Sequence, residues 1–242
     1  MNKIIGLLAV GVCVLVTMQA RGAIVTGAAV WNFDSGTKNL NAYAGTLPYG
    51  ANTLNTAVFN AGNMSAATAS SGNATQGAGT GFNGLGKALQ FTAQNGNGKS
   101  VNGSSFVLSL TIPAGVSSIS SITIHYDYLA TSGAGTALNT WTLSGVTGSQ
   151  TAAITQNTGW NSATVTFSGL SLGAGTITLT DALSGYAAGN ANNIAGFDNI
   201  SFDVSGPTLV PEPITYAMAL FGLIFVSGGV GRYYIGNARQ KA

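Results

Sequence analysis

Titratable chemistry is scarce in this chain. The body holds one histidine, His125, and five aspartates, Asp34, Asp127, Asp181, Asp198 and Asp203, while the single glutamate, Glu212, stands near the C-terminus. His125 and Asp127 are two residues apart, so on a strand they share a face. Serines are abundant, and a Ser-His-Asp triad can therefore be written down. Such a triad also needs the serine raised beside the imidazole, commonly on a sharp strand-to-helix turn. No serine here lies in that setting, and His125 reads as a surface-strand histidine. A glycoside hydrolase needs two carboxyls across the sugar, and only the five aspartates could serve. The expectation is a protein that is not an enzyme, with no catalytic residues.

Binding has better raw material. Trp31, Trp141 and Trp160, with Tyr43, Tyr49 and Tyr186, offer flat apolar faces that could stack on sugar rings. Trp31 and Trp141 lie inside strand-like runs and are expected in the core. Trp160 follows Thr158-Gly159, a turn signal, and is the candidate stacking residue. Thr176, Thr178 and Thr180 place hydroxyls and methyls along one strand face, which suits ice or a crystalline surface. The Thr164 and Thr166 pair is too small to make an array of it, and threonine is also an ordinary solvent-face strand residue.

These side chains must be held by strands. Glycine contributes 35 residues and charged residues only 6 %, a composition that disfavours helices and a highly charged disordered chain. Phe106, Leu108, Leu110 and Ile112 alternate with small or polar residues. So do Ile122, Ile124, Tyr126 and Tyr128, then Ala163, Val165 and Phe167, and Ile177 with Leu179. Period-two alternation puts one face on a core and the other in water. Further strands are expected around 30–34, 87–92, 140–144 and 200–204. Asn-Gly and Ser-Gly pairs at 83–84, 95–96, 97–98, 102–103 and 132–133 mark turns. The low-complexity stretch from Asn60 to Gly81 reads as a loop. About eight antiparallel strands predict an all-β fold, a single antiparallel β-sandwich of jelly-roll type over residues 23–206.

Between Ala23 and Gly206, three lysines face five aspartates, a balance of −2. No basic patch exists for a phosphate backbone, so nucleic acid is not an expected partner. Cys13 is the only cysteine and lies in the N-terminal apolar run, which leaves the body without disulfides.

The two ends carry addresses. Lys3 precedes an apolar run from Ile4 to Met18 and a small-residue exit at Ala20-Arg21-Gly22, the pattern of a secretory signal peptide over residues 1–22. Cleavage fits after Gly22, with Ala20 as the alternative. At the other end, Ile214 to Gly231 lacks charge, and eighteen helical residues reach about 27 Å, enough for one transmembrane helix. Arg232, Arg239 and Lys241 form a basic tail that keeps this end cytoplasmic. Val210, Pro211, Glu212 and Pro213 stand just before the span. The two prolines hold Glu212 extended and withhold two amide donors, which keeps the segment open to an enzyme.

This order of motif, span and basic tail over residues 207–242 resembles the PEP-CTERM sorting signal of bacterial proteins. The resemblance rests on Pro211-Glu212-Pro213, the Thr215-Tyr216-Ala217 opening, the glycines Gly222, Gly228 and Gly229, and the cationic end. It implies an exosortase-type membrane peptidase as partner, transient anchoring in the inner membrane, and delivery to the cell surface or extracellular matrix of a Gram-negative bacterium that makes exopolysaccharide. Separately, Trp31-Asn32-Phe33-Asp34 near the start and Gly196-Phe197-Asp198-Asn199-Ile200 near the finish resemble carbohydrate-binding jelly rolls. That resemblance implies neighbouring first and last strands, a structural calcium with Asp34 and Asp198 as oxygen ligands, and binding of an exopolysaccharide. The reading at this point is a non-catalytic, exosortase-sorted, biofilm-matrix β-sandwich. A secreted polysaccharide or protein hydrolase, a purely structural matrix component and an ice- or surface-binding protein remain the alternatives.

Overall fold

A computed structural model describes residues 24–34, 38–40, 50–70, 72–78, 80–93, 100–116, 118–131, 136–156, 159–186 and 194–206. All of them fall in the first of two compact units, Met1–Thr208, the second being Leu209–Ala242. The expected signal peptide, Tyr43, Tyr49 and the whole sorting tail lie outside the described residues. The tail comprises Val210 to Pro213, the span, Arg232, Arg239 and Lys241.

The described residues form strands with a single 3-10 turn, Phe82–Gly84. In chain order the strands are β1 (Ile24–Trp31), β2 (Lys38–Asn39), β3 (Thr53–Leu54), β4 (Ala61–Thr68), β5 (Gly72–Ala78), β6 (Ala88–Ala93), β7 (Ser105–Ile112), β8 (Ile119–Ala130), β9 (Ala137–Leu143), β10 (Ser149–Ile154), β11 (Trp160–Leu172), β12 (Gly175–Ser184) and β13 (Ile194–Ser205). They make two antiparallel sheets. The small sheet runs β10-β9-β12-β7-β4; the large one runs β11-β8-β13-β6-β5-β2, with β1 on β13 and β3 on β1. The all-β, antiparallel sandwich expected from the alternation is what forms. Strict alternation of buried and half-buried positions along β7, and along β8 from Ser121 onward, matches the sequence period.

Strand β13 is the spine of the large sheet. One edge pairs with β8 along most of its length; the other pairs first with β6 and then with β1. The handover coincides with a bulge at Asn199, whose φ of 47° is the left-handed conformation that Asn tolerates better than most residues. Because of that bulge Asp198 and Asn199 both face outward, and Phe197 and Ile200 both face the core.

The core joins the sheets through aromatic contacts. Phe106 of the small sheet packs against Phe197 of the large one, centroids 4.9 Å apart, and Trp141 meets Tyr126 at 5.5 Å. Phe91 adds an edge-on contact to Phe197. Each such pair contributes about 0.5–1.5 kcal/mol beyond its burial. Trp31 and Trp141 are completely buried, as their place in strand runs predicts.

One expectation is overturned. The stretch from Asn60 to Gly81 is not a loop: most of it forms β4 on β7 and β5 on β6. Its residues are too small and polar to show an apolar period, so pairing with neighbours decides the conformation and local propensity does not. Met64 and Ala74, both fully buried, are its contributions to the core. The strand count exceeds eight for the same reason, since β2, β3 and β10 also lack apolar alternation.

Candidate functional site

Trp160 opens β11, and its cross-strand partner is Leu129 on β8, which in turn faces Gly196 on β13. Parity therefore places Trp160 on the outer face of the large sheet. Gly196 is what gives it a seat. A Cβ at that position would lie 3.2 Å from Trp160 Cη2, so the indole ring occupies the space a side chain would take. Phe82 meets the same ring edge-on, at 90° and 6.4 Å between centroids. Trp160 is half-buried as a result. It is held more firmly than a turn residue would be, and is less exposed than its position after Thr158-Gly159 suggests.

Polar groups continue the surface beyond the ring. Ser162 donates to Asp127 Oδ1 at 2.5 Å, and Asn199 Nδ2 donates to Asp127 Oδ2 at 2.9 Å. The bulge at 199 is what brings that amide across to β8. One step further, His125 sits between Thr164 Oγ1, 3.2 Å from Nδ1, and Asp203 Oδ2, 3.1 Å from Nε2. His125 and Asp127 do share a face as expected, but each takes its partners from neighbouring strands and they do not act as a pair.

A hydroxyl, an imidazole and a carboxylate in that order are the components of general-base activation. The chemistry does not follow. Thr164 lies on the flat face of a paired strand, where backbone N–H groups run in the plane of the sheet and cannot converge on an oxyanion. The arrangement is a hydrogen-bonded surface cluster, half exposed.

Asp34 and Asp198 grip the same short loop from two sides. Asp198 Oδ2 accepts from the backbone N–H of Phe82 at 2.9 Å, and its Oδ1 accepts from that of Asn199 at 2.8 Å. Asp34 Oδ1 accepts from the backbone N–H of Lys87 at 2.8 Å. Burial pushes the Asp198 carboxyl up to about 6; the two backbone donors oppose the rise, and the charges of Asp34 and Asp127 add to it. Strands β1 and β13 are neighbours, as the resemblance to carbohydrate-binding jelly rolls implies.

A cation's fit at this corner can be judged from Gly81. A Cβ there would fall 2.3 Å from Leu85 O, 2.6 Å from Asp198 Oδ2 and 3.0 Å from Lys87 O. Three oxygens thus surround a cradle that only glycine leaves open. Oxygen-only donors suit calcium, which takes six to eight. Among the described residues no three acidic, histidine or cysteine side chains are placed to hold one metal ion, so main-chain carbonyls and solvent would have to complete the shell.

The outer face of the small sheet is different. Thr176 lies opposite Thr111, Thr178 opposite Ser109 and Thr180 opposite Thr142; Thr151 and Ser149 extend the rows on β10. Neighbouring strands lie about 4.7–4.9 Å apart, so these hydroxyls form a two-dimensional array with no charged residue. The short Thr run was visible in the sequence. Its partners were not, because cross-strand register is not readable from a single chain segment.

The sequence matches no protein-family model, and no curated protein is similar to it. Several solved structures share a loose likeness. TmCBM61 in complex with beta-1,4-galactotriose is 17 % identical over 51 % of this chain and 73 % of that one, with a TM-score of 0.32. The CBM35 from Cellvibrio japonicus Abf62 is 21 % identical over 57 % and 84 %, with a TM-score of 0.35. The CBM6cm-2 module from Cellvibrio mixtus lichenase 5A, in complex with cellotriose, is 18 % identical over 60 % and 91 %, with a TM-score of 0.32. At these scores the functional reading rests on the residues of this chain alone.

Proposed function

We propose that this chain is an exported, non-catalytic polysaccharide-binding protein whose binding surface is the outer face of the large sheet around Trp160. The seat of Trp160 supports the reading most directly. Its ring is fixed over Gly196 and against Phe82, with Ser162, Asp127 and Asn199 beside it. A rigid aromatic face next to fixed donors and acceptors is what a sugar ring needs, one for its C–H face and the other for its hydroxyls. Calcium would be held by Asp198 and Asp34 with the carbonyls of Leu85 and Lys87, where it would brace the loop that carries Phe82.

Export and surface delivery rest on the ends of the sequence. The apolar leader, Val210-Pro211-Glu212-Pro213, the span and the basic residues Arg232, Arg239 and Lys241 support exosortase sorting, with the peptidase as a transient partner in the inner membrane. Intact mass of the mature chain from cells with and without a working exosortase tests this. Loss of the tail only where the enzyme works is expected; a tail retained in both sinks the sorting reading.

For the binding surface, the test is affinity electrophoresis of the chain in gels containing the host's exopolysaccharide. Trp160→Ala is expected to weaken retardation at least tenfold with the fold intact by circular dichroism. Equal retardation of both chains would move the site elsewhere. One observation favours a second reading, attachment to ice or a crystalline surface: the uncharged hydroxyl array on the small sheet.

A further inference from the structure

Asp181 is completely buried on the inward face of β12, between Phe106 on β7 and Trp141 on β9. Neither of its carboxyl oxygens has a well-formed hydrogen bond; only the backbone N–H of its chain neighbour Ala182 lies near. The same neighbourhood holds the Tyr126 hydroxyl, Asn139 Nδ2 and Trp141 Nε1, all buried and none of them in a well-formed hydrogen bond. Tyr186 donates its hydroxyl to Asn139 Oδ1 at 3.0 Å, so the amide's oxygen is satisfied and its nitrogen is not. The groups facing Asp181 are Tyr126 and Tyr128 from β8, Asn139 and Trp141 from β9, Tyr186 after β12 and Phe106 from β7. None is cationic, and His125 lies on the opposite face of β8.

Donors and acceptors are matched in kind. The Trp141 and Asn139 side chains lie close enough to the Tyr126 hydroxyl to favour its charged form, but none of these groups completes a well-formed hydrogen bond to Asp181. Asn139 and Trp141 supply N–H groups, Tyr126 an O–H, and Asp181 supplies acceptors. A buried polar group left without a partner costs as much as a lost hydrogen bond, and four residues of one core share that condition in one place. Their position between the sheets is enclosed, which limits a bridging ligand to a very small one that can both donate and accept. Water has the chemistry required, since a buried water makes about three hydrogen bonds to groups of this kind.

We propose that the sandwich core contains a buried hydration site, in which one or two ordered waters bridge Asp181 to Tyr126, Asn139 and Trp141. Burial pushes the Asp181 carboxyl well above the usual carboxylate range, with the backbone N–H of Ala182 opposing the rise. Complete burial with no cation beside it favours the neutral form of the group, which would add an O–H donor to the network. Burial, and then the proximity of Asp181, also pushes the Tyr126 and Tyr186 phenols up. Bridged in this way, β8, β9 and β12 are tied across the two sheets by polar contacts that accept only one register.

Two measurements on the full chain in mild non-ionic detergent test the proposal. The first is thermal unfolding of wild type and Asp181→Asn from about pH 4 to about pH 8. An acid whose pKa is raised in the fold binds more protons folded than unfolded. The stability it contributes is thus full below the ordinary value of 3.8 and is lost as pH rises toward the folded value. Relative to Asp181→Asn, which keeps polar atoms in place without a titrating proton, the wild-type unfolding constant should rise by up to tenfold per pH unit. The second is a high-resolution crystal structure, in which water oxygens are expected within hydrogen-bond distance of Asp181 and of at least one of Tyr126, Asn139 and Trp141. A dry cluster with Asp181 bonded directly to Trp141 or Tyr126 overturns the proposal. So does an identical pH dependence in the two chains.

Discussion

The two sheets share one core but present opposite surfaces. Outward on the large sheet stand Trp160, His125, Asp127, Asp198, Asn199 and Asp203, each fixed by a cross-strand or loop partner. Outward on the small sheet stand mainly threonines, serines and alanines, with Val107 and Leu138 among them, and the bonds among them are few and weakly placed: Ser109 to Ser65 at 2.9 Å and Thr111 with Thr176 at 3.2 Å. The difference follows from irregularity. The large sheet carries the Asn199 bulge, the Gly196 gap and a loop tied down by two aspartates. The small sheet is regular across β7, β9 and β12, and a regular strand can offer only a repeat. A surface that discriminates one ligand from another needs groups in non-repeating positions, and the large sheet has them.

The comparison would break most visibly at Asp198. Its carboxylate accepts two backbone N–H groups from an almost fully buried position, and hydrogen bonds of that kind contribute about 1.5–3 kcal/mol each. Asp198→Ala should therefore destabilise the fold by about 2–4 kcal/mol in chemical denaturation, free the Phe82 loop and weaken polysaccharide retention. Calcium sharpens the same point. Added calcium should raise the melting temperature of the wild-type chain, chelator should reverse it, and Asp198→Ala should respond to neither. A wild-type midpoint indifferent to both would remove the metal from the corner while leaving the hydrogen-bonded loop intact.

The elements with a strong apolar period were readable from the sequence. Phe106 to Ile112 and Ile122 to Tyr128 alternate, and they fold as β7 and β8. The address segments are local patterns of another kind, a leader and a motif-plus-span, and they lie outside the described residues. What escaped was whatever depends on register. Met64 and Ala74 lie in low-complexity sequence and enter the core only because β7 and β6 pair with their strands. Trp160 was picked out as the stacking candidate, but its supports, Phe82 and Gly196, are 78 and 36 residues away and carry no sequence signal of their own. The Asn83-Gly84 turn did mark the loop that brings Phe82 there. Asp34 and Asp198 were paired by resemblance; their common task of holding residues 81–87 could be seen only with β1 and β13 in place. Asp181 drew no attention, because nothing in Thr180-Asp181-Ala182 distinguishes an inward aspartate from an outward one.

The smallest effect belongs to the small sheet, and it decides between the two surfaces. Thr176, Thr178 and Thr180 face outward, and their replacement by alanine removes hydroxyls and methyls without opening the core. Substitutions of this kind usually change stability by less than about 0.5 kcal/mol each, with some loss of strand preference in addition. The triple alanine chain should unfold close to the wild-type midpoint. It should also migrate like wild type in exopolysaccharide gels, while Trp160→Ala does not. If the triple variant instead loses retention and Trp160→Ala keeps it, recognition runs through a regular lattice of hydroxyls. Binding would then scale with the order of the surface presented, with crystalline ice or crystalline polysaccharide preferred over soluble chains. Retention of soluble chains by the triple variant would confine binding to the irregular face, because a lattice-matching surface cannot lose three of its central rows and keep its ligand.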